Sequence, residues 1–380
     1  MRRLTRRITS LFENEKAGGI VLIICTIVSL LLANSPARLP YLYFWEINVA
    51  GEHLVHWIND GLMAIFFLLI GLELRREIHS GELSDLKNAL LPICGALGGM
   101  LVPAAIYLLI SLGTPAQSGA GIPMATDIVF AIGILTLLGN RVPASLKIFL
   151  TALAVIDDLG AILTIAFFYS SGLSWLHLGI ALGIFGILLL ANRLRVRSLI
   201  PYLAGGLLMW YFMLHSGIHA TITGVLLAFT IPFGDGSDHT PAYTLQHFLH
   251  KPVAFFILPV FVAGNTCIPL ASDGPAVWSA INSIGIFAGL FIGKPLGIFL
   301  FSRIAVALNI CRLPVNLRWK HITGAGILGG IGFTMSIFIT LLAFDDPAMI
   351  TTSKLAIMVT SLLAAIAGLA WLQLALKQSS

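Results

Sequence analysis

The chain has 380 residues, of which 58% are hydrophobic and 10% charged, against about 25% charged in an ordinary soluble domain. A water-soluble surface cannot be built from that composition. Disordered, collagenous and coiled-coil chains need polar or strictly periodic sequence and are excluded too. At roughly 20 residues per transmembrane helix, an all-α polytopic membrane protein of about 12 spans is expected. The net charge of +5 is accounted for by topology, and no nucleic-acid partner is expected. Cys25, Cys94, Cys267 and Cys311 lie far apart, which supports neither a disulfide framework nor a metal knuckle.

Apolar runs, each closed by charge, Pro or Gly, fall at 17–34, 54–73, 89–112, 121–138, 147–170, 174–191, 199–214, 217–232, 252–268, 277–307, 322–344 and 352–376. The runs 199–214 and 217–232 are short enough to need tilt or shallow placement. No barrel-type alternation appears. The longest stretches outside the runs are 35–53 and 233–251, so residues 1–380 read as one membrane domain with a short cytoplasmic N-terminus, 1–16. The Arg-rich start resembles a secretory signal, but the first run continues to Asn34, Glu13 and Glu15 intervene, and Pro36 sits where cleavage would be wanted. An uncleaved first helix is expected.

The cations sort to one side. Arg2, Arg3, Arg6, Arg7 and Lys16 precede the first run. Arg75, Arg76 and Lys87 follow the second, Arg141 and Lys147 the fourth, and Arg193, Arg195 and Arg197 the sixth. Lys251 follows the eighth, Arg303, Arg312, Arg318 and Lys320 surround the end of the tenth, and Lys377 closes the chain. The opposite loops hold Arg38 and Lys354. The positive-inside rule then places both termini in the cytoplasm.

Ionisable residues inside apolar runs are costly and are functional candidates, and four stand out: Asp127, Asp157, Asp158 and Lys294. Asp157 and Asp158 lie mid-helix in the fifth run. Neighbouring helical residues point about 100° apart, so at least one of the two faces a polar cavity or a partner. Desolvation and mutual repulsion favour protonation, while the ionised oxygens suit a small hard cation. A site that takes protons or a cation by turns is what exchange chemistry needs. The structural alternative is a polar clamp between helices.

Asp127, in the fourth run, follows Gly119, Gly121 and Pro123, which predict an interrupted helix. Either Thr126 or Asp127 serves there as an N-cap, and a carboxylate beside helix N-termini also opposes their positive dipole ends. Thr126 adds a hydroxyl oxygen for a cation. Lys294, in Gly293-Lys-Pro295 of the tenth run, either snorkels to an interface, pairs with a carboxylate, or balances negative half-helix ends. In the eleventh run Gly324, Gly326 and Gly329 spell GxGxxG, but no strand precedes them and the dinucleotide reading fails. Close packing or an unwound break is expected instead. Runs three to five and ten to twelve each have a breakable middle helix, which suggests inverted repeats about a midplane site.

Weaker signals remain. His215 and His219 are four apart, but Ser216 stands where a zinc protease needs Glu, and no resident metal is expected. Glu73, Arg75, Arg76 and Glu77 read, from composition, as a salt-bridged helix end.

The stretch Ala152-Leu-Ala-Val-Ile-Asp157-Asp158-Leu-Gly-Ala161 closely resembles the NhaA-type sodium/proton antiporters of bacterial inner membranes. So do Phe66-Phe-Leu-Leu-Ile-Gly-Leu-Glu73, Ala125-Thr-Asp127-Ile, Arg141-Val-Pro, His215-Ser-Gly-Ile-His219-Ala-Thr, Gly293-Lys294-Pro-Leu-Gly297 and Gly329-Gly-Ile-Gly-Phe-Thr-Met-Ser336. The matches run in family order from about Gly18 to the last run. The resemblance implies twelve helices, with discontinuous, crossing helices at spans four and eleven. It implies a transporter and not an enzyme, without a cofactor, in which more than one proton enters per Na+ or Li+ extruded.

By the same resemblance, Asp158 with Asp157 is the central cation and proton site, and Thr126 and Asp127 are its neighbours. Asp127 and Lys294 compensate opposed half-helix ends. Glu73, Arg76 and Glu77 belong to a cytoplasmic pH-sensing region, and His219 influences the pH response. Two departures stand out. Tyr243, Thr244 and Gln246 replace basic residues and a glutamate, which bears on the pH threshold. A β-hairpin around Trp45–Glu52, which joins two protomers in other members, is expected to be abbreviated here, which bears on a homodimer. The partners implied are Na+, Li+, H+ and membrane lipid.

Three rival readings differ in what they need. An intramembrane aspartic protease needs two carboxylates converging on one water, and neighbours on one helix diverge. A passive channel would carry Na+ without proton counterflow. An inert scaffold has no use for four intramembrane charges.

Overall fold

A computed structural model describes residues 15–170, 172–234, 240–269 and 279–377. The cations Arg2, Arg3, Arg6 and Arg7, like most of the expected N-terminal segment, lie outside the described residues. The described chain is almost wholly helical. Seven helices are long and apolar enough to cross a membrane, or up to ten if each bent helix pair is one span. Large apolar side chains such as Phe167 and Phe168 are more than three-quarters exposed while Asp157 and Lys294 are fully buried. That is the arrangement a hydrocarbon solvent requires.

The chain forms two compact units. The first comprises residues up to 20, 82–161 and 268–380. It holds α4 (Leu86–Ser111), a 3₁₀ segment (Pro115–Met124), α5 (Ile128–Leu137), most of α6 (Ala144–Phe168), α11 (Ile281–Ala307), α12 (Trp319–Gly329), α13 (Phe333–Ala343) and α14 (Pro347–Lys377). The 3₁₀ segment and α5 meet at a bend of 44°, and α12 and α13 at 48°. Both breaks fall where Gly, Pro or a Gly run withholds helix propensity. Beside them α4 lies against α11 so closely that a Cβ on Gly98 would run into the carbonyl oxygen of Gly297, and one on Gly297 into that of Gly98.

The second unit, residues 21–81 and 162–267, begins with the larger part of α1 (Glu15–Ala33). It continues with α2 (Arg38–Trp45), bent 119° from α1, and α3 (Leu54–His79). Then come α7 (Trp175–Arg193), α8 (Ile200–Leu214), α9 (Ile222–Thr230) and α10 (Pro241–Asn265). Between α2 and α3, β1 (Asn48–Val49) pairs antiparallel with β2 (Glu52–His53). The hairpin is as short as the sequence suggests, and its turn uses positive φ at Ala50 and Gly51.

Two expected boundaries need correction. The run 217–232 yields only the nine residues of α9, because Gly217 takes a positive φ and the chain turns until Thr221. At 1.5 Å per residue α9 is far shorter than a bilayer core. In the other direction, α10 begins at Pro241, eleven residues before the apolar run. Thr240 caps it by accepting from Tyr243 N at 3.4 Å, and Pro241 sits at its first position, both helix-start signals.

Among the described residues three stretches are π-helical: Trp57–Leu62 in α3, Val253–Ile257 in α10 and Ala288–Gly293 in α11. The last two lie just before Pro259 and Pro295. A proline cannot donate to the carbonyl four residues back and clashes with it, and a widened turn relieves both problems.

Candidate functional site

The charged residues singled out by the sequence gather in the first unit, where the two helix breaks meet. Asp127 N–H donates to the Ile331 carbonyl at 2.6 Å, tying one break to the other. The Asp127 side chain then serves two helices. Its Oδ1 accepts from Phe130 N at 3.2 Å, capping α5. Its Oδ2 accepts from Thr334 N at 3.1 Å and from Thr334 Oγ1 at 2.5 Å, capping α13. One buried carboxylate thus lies at two positive helix ends, where the dipoles favour negative charge. The capping and dipole readings of Asp127 hold together.

The negative ends are treated in the opposite way. The Lys294 ammonium donates to the Met124 carbonyl, the last of the 3₁₀ segment. The Gly329 carbonyl, the last of α12, lies 2.9 Å from Thr126 Oγ1. Thr126 Oγ1 also lies 2.7 Å from Asp157 Oδ2. Lys294 Nζ is 3.0 Å from the same Oδ2, and both charged side chains are fully buried.

A carboxylate and an ammonium removed from water cost several kcal/mol each, which their attraction offsets only when the geometry is good and hydrogen bonds complete it. Here Thr126 and Met124 complete it, while Asp157 Oδ1 accepts no hydrogen bond. Asp158 is buried on the same helix, α6. Of the alternatives for Lys294, snorkelling is excluded by its burial. Both remaining readings apply, since it pairs with Asp157 and faces a helix C-terminal end.

Within the second unit, Arg76 NH2 and Glu77 Oε1 are 3.5 Å apart at the end of α3, with Glu73 one turn earlier. A partly exposed pair of this kind contributes little to stability. Arg75 does more. Its guanidinium donates to the carbonyls of Ala228 (3.0 Å), Phe229 (3.1 Å) and Ile231, closing the C-terminal end of α9. His219 Nε2 is 2.9 Å from the Tyr169 carbonyl and His215 Nδ1 is 2.8 Å from that of Tyr211, so the two histidines serve different partners. No group of three or more His, Cys, Asp or Glu able to hold a metal occurs among the described residues. Gln246 is buried, Thr244 Oγ1 donates to the Thr240 carbonyl at 3.1 Å, and Tyr243 stacks on His247.

Sequence reasoning missed Thr334, the π-turn before Lys294, and the Arg75 clamp. Thr334 stood in the quoted Gly-Phe-Thr-Met-Ser run, and a hydroxyl just after a predicted break was the available signal.

An apolar helical chain with opposite charges buried at the ends of broken helices has the build of an intramembrane ion transporter. Its relatives agree. The sequence profile described as Na+/H+ antiporter 1 matches residues 9–372, and the chain belongs to that family of transporters. It is 62% identical over 377 residues to the Na(+)/H(+) antiporter NhaA of Flavobacterium psychrophilum, covering 99% of this chain and 98% of that protein. It is 61% identical over 371 residues to Na(+)/H(+) antiporter NhaA 1 of Flavobacterium johnsoniae, covering 98% and 97%. A solved structure of the sodium proton antiporter MjNhaP1 from Methanocaldococcus jannaschii is similar in fold, with a TM-score of 0.55 at 16% identity over 98% of each chain.

Proposed function

We propose that this protein is an electrogenic Na+/H+ antiporter of a bacterial inner membrane, also accepting Li+, that works by alternating access at Asp157 and Asp158. The observation that carries the reading is the buried Lys294–Asp157 pair, 3.0 Å apart at the junction of the two breaks. A pair of this kind is stable while both partners are charged and is costly to break one-sidedly. A cation arriving at Asp158 and Asp157 takes the place of the ammonium; Lys294 gives up one proton and the Asp158 carboxyl a second, so two protons leave the site for each Na+ that binds. Thr126 then turns its hydroxyl hydrogen to the Gly329 carbonyl and offers its oxygen lone pair to the cation.

The loaded site opens outward, releases Na+ and is reprotonated. More positive charge enters than leaves, so each net charge draws about 2.3 kcal/mol from every 100 mV. Asp127 keeps its charge throughout and holds the two N-termini together.

In this reading the chain acts as a single transport domain that passes through the membrane twelve times, the eighth pass built on the short α9, with both termini cytoplasmic. The bent pairs at 115–137 and 319–343 are spans four and eleven, crossing within inverted repeats. Glu73, Arg76, Glu77 and His219 set the pH response, with a threshold altered by Tyr243, Thr244 and Gln246. The short hairpin at Asn48–His53 leaves a homodimer with a small strand interface.

The test is Na+-induced proton movement in proteoliposomes from about pH 6.5 to about pH 9, with K+ as control, for wild type and Asp158→Asn. Wild type is expected to exchange Na+ for protons and to generate a membrane potential, and the variant to lose exchange while eluting as folded protein. Exchange at the wild-type rate in Asp158→Asn would remove the site assignment. Exchange flat with pH would keep antiport and locate the switch in the replaced residues.

A further inference from the structure

Spacing pairs His215 with His219, but the fold pairs His215 with His177. His177, in the first turn of α7, and His215, which closes α8, hold their rings 5.9 Å apart between centroids at a tilt of 32°. The Nδ1 atom of each ring is engaged. His215 Nδ1–H donates to the Tyr211 carbonyl at 2.8 Å, and His177 Nδ1 is 2.8 Å from Ser174 Oγ. The carbonyl partner makes Nδ1 the protonated nitrogen of His215, so that ring presents its Nε2 lone pair, the state in which histidine ligates metals; His177 presents the same lone pair in the tautomer that donates from Nδ1 to Ser174 Oγ.

Two Nε2 donors at about 2.0–2.1 Å from one tetrahedral metal put ring centroids roughly 5 Å apart. Rotation of two side chains at the surface of the helices, one of them exposed, covers the difference. The chain beneath is already strapped together. Ser174 N–H donates to the Ser216 carbonyl at 2.8 Å, and His219 Nε2–H to Tyr169 as described above, so the approach to α7 is fixed to the exit from α8.

We propose that His177 and His215 form a binding site for a divalent transition metal of the Cu2+, Ni2+ and Zn2+ class, stapling α7 to α8, with water completing the coordination shell. Imidazole nitrogen selects these ions over Na+ and Mg2+, which prefer oxygen. The site is thus chemically distinct from the carboxylates of the first unit. The comparable pair His53 and His56, with rings 6.1 Å apart, lies three residues apart on one stretch of chain. It joins no two helices, and the engaged Nδ1 there is that of His53, with the Glu46 carbonyl.

The experiment uses the purified full-length protein without a polyhistidine tag, loaded with one equivalent of Cu2+, with coordinated imidazoles counted by pulsed EPR. Wild type is expected to show two imidazoles, and His177→Ala and His215→Ala one each. Loss of even a second-sphere partner costs 10–100-fold in affinity, so loss of a ligand is expected to weaken Zn2+ binding at least about tenfold. Elution as a single species and unchanged circular dichroism establish that each variant is folded, and His177→Gln provides a more conservative change. His219→Ala and His53→Ala/His56→Ala are expected to keep the two-imidazole signal. A two-imidazole signal that persists in His177→Ala/His215→Ala, that vanishes in His53→Ala/His56→Ala, or that is missing from wild type would overturn the proposal.

Discussion

The sharpest test of the double-capping geometry is a mutant cycle on Asp127 and Thr334. Thr334→Val removes one hydroxyl donor to a buried carboxylate and leaves the backbone N–H in place. A hydrogen bond to a charged acceptor contributes about 1.5–3 kcal/mol, and that is the expected loss. Asp127→Ala removes all three hydrogen bonds to the side chain. Losing a helix cap costs about 0.5–2 kcal/mol, so two caps cost about 1–4 kcal/mol. The stranded Thr334 hydroxyl adds about 1–3 kcal/mol. Once Asp127 is alanine, Thr334→Val deletes an orphaned donor and costs little. The double variant is therefore expected to be no less stable than Asp127→Ala alone, with a coupling of about 1.5–3 kcal/mol. The assay is unfolding of detergent-solubilised protein in mixed micelles, followed by tryptophan fluorescence. Losses that simply add would refute the shared carboxylate.

Other expectations follow from the same geometry. Lys294→Met strands the Asp157 charge and should destabilise by about 3–5 kcal/mol, while Lys294→Met/Asp157→Asn should recover much of that loss; thermal half-lives in detergent compare the two. Gly98→Ala and Gly297→Ala each drive a methyl group into a carbonyl oxygen and should cost about 1–3 kcal/mol or more. Gly133→Ala in α5 meets nothing within 4 Å and should be neutral or stabilise by up to about 1 kcal/mol. Thermal scans of the three glycine variants separate these outcomes. Arg75→Gln removes a charge-assisted clamp on three carbonyls and should lower stability by about 1–3 kcal/mol, with hydrogen exchange rising first at the C-terminal end of α9.

The site was legible in its residues and not in its pairings. Asp127, Asp157, Asp158 and Lys294 stand out because a charge in an apolar run is too expensive to be incidental. The breaks show in Gly119, Gly121, Pro123 and the Gly324–Gly332 run, since those residues fail to support a continuous helix. Lys294 could be given three roles by its position, and choosing among them needed the Met124 carbonyl, 170 residues away in sequence. Long-range partners leave no local periodicity. The start of α10 was hidden for the opposite reason. His247 and Lys251 make it polar, so hydropathy ends where the helix does not. Thr334 went unread because a lone threonine is unremarkable until its neighbour across the break is known.

The π-turn before Lys294 decides which way the ammonium faces. On a straight α-helix Ile286 and Lys294, eight residues apart, would point about 80° away from each other. Absorbing one residue in the wide turn at Ala288–Gly293 leaves seven effective steps and brings the two to within about 20°. The buried stripe of Ile286 and Leu290 then runs straight on into the lysine. Proline at 295 and the charge at 294 are in this sense one device: the ring that spoils the regular turn also sets the phase of everything after it. Deleting a single residue from 288–293 would swing the ammonium off Asp157, although every residue of the site would still be present.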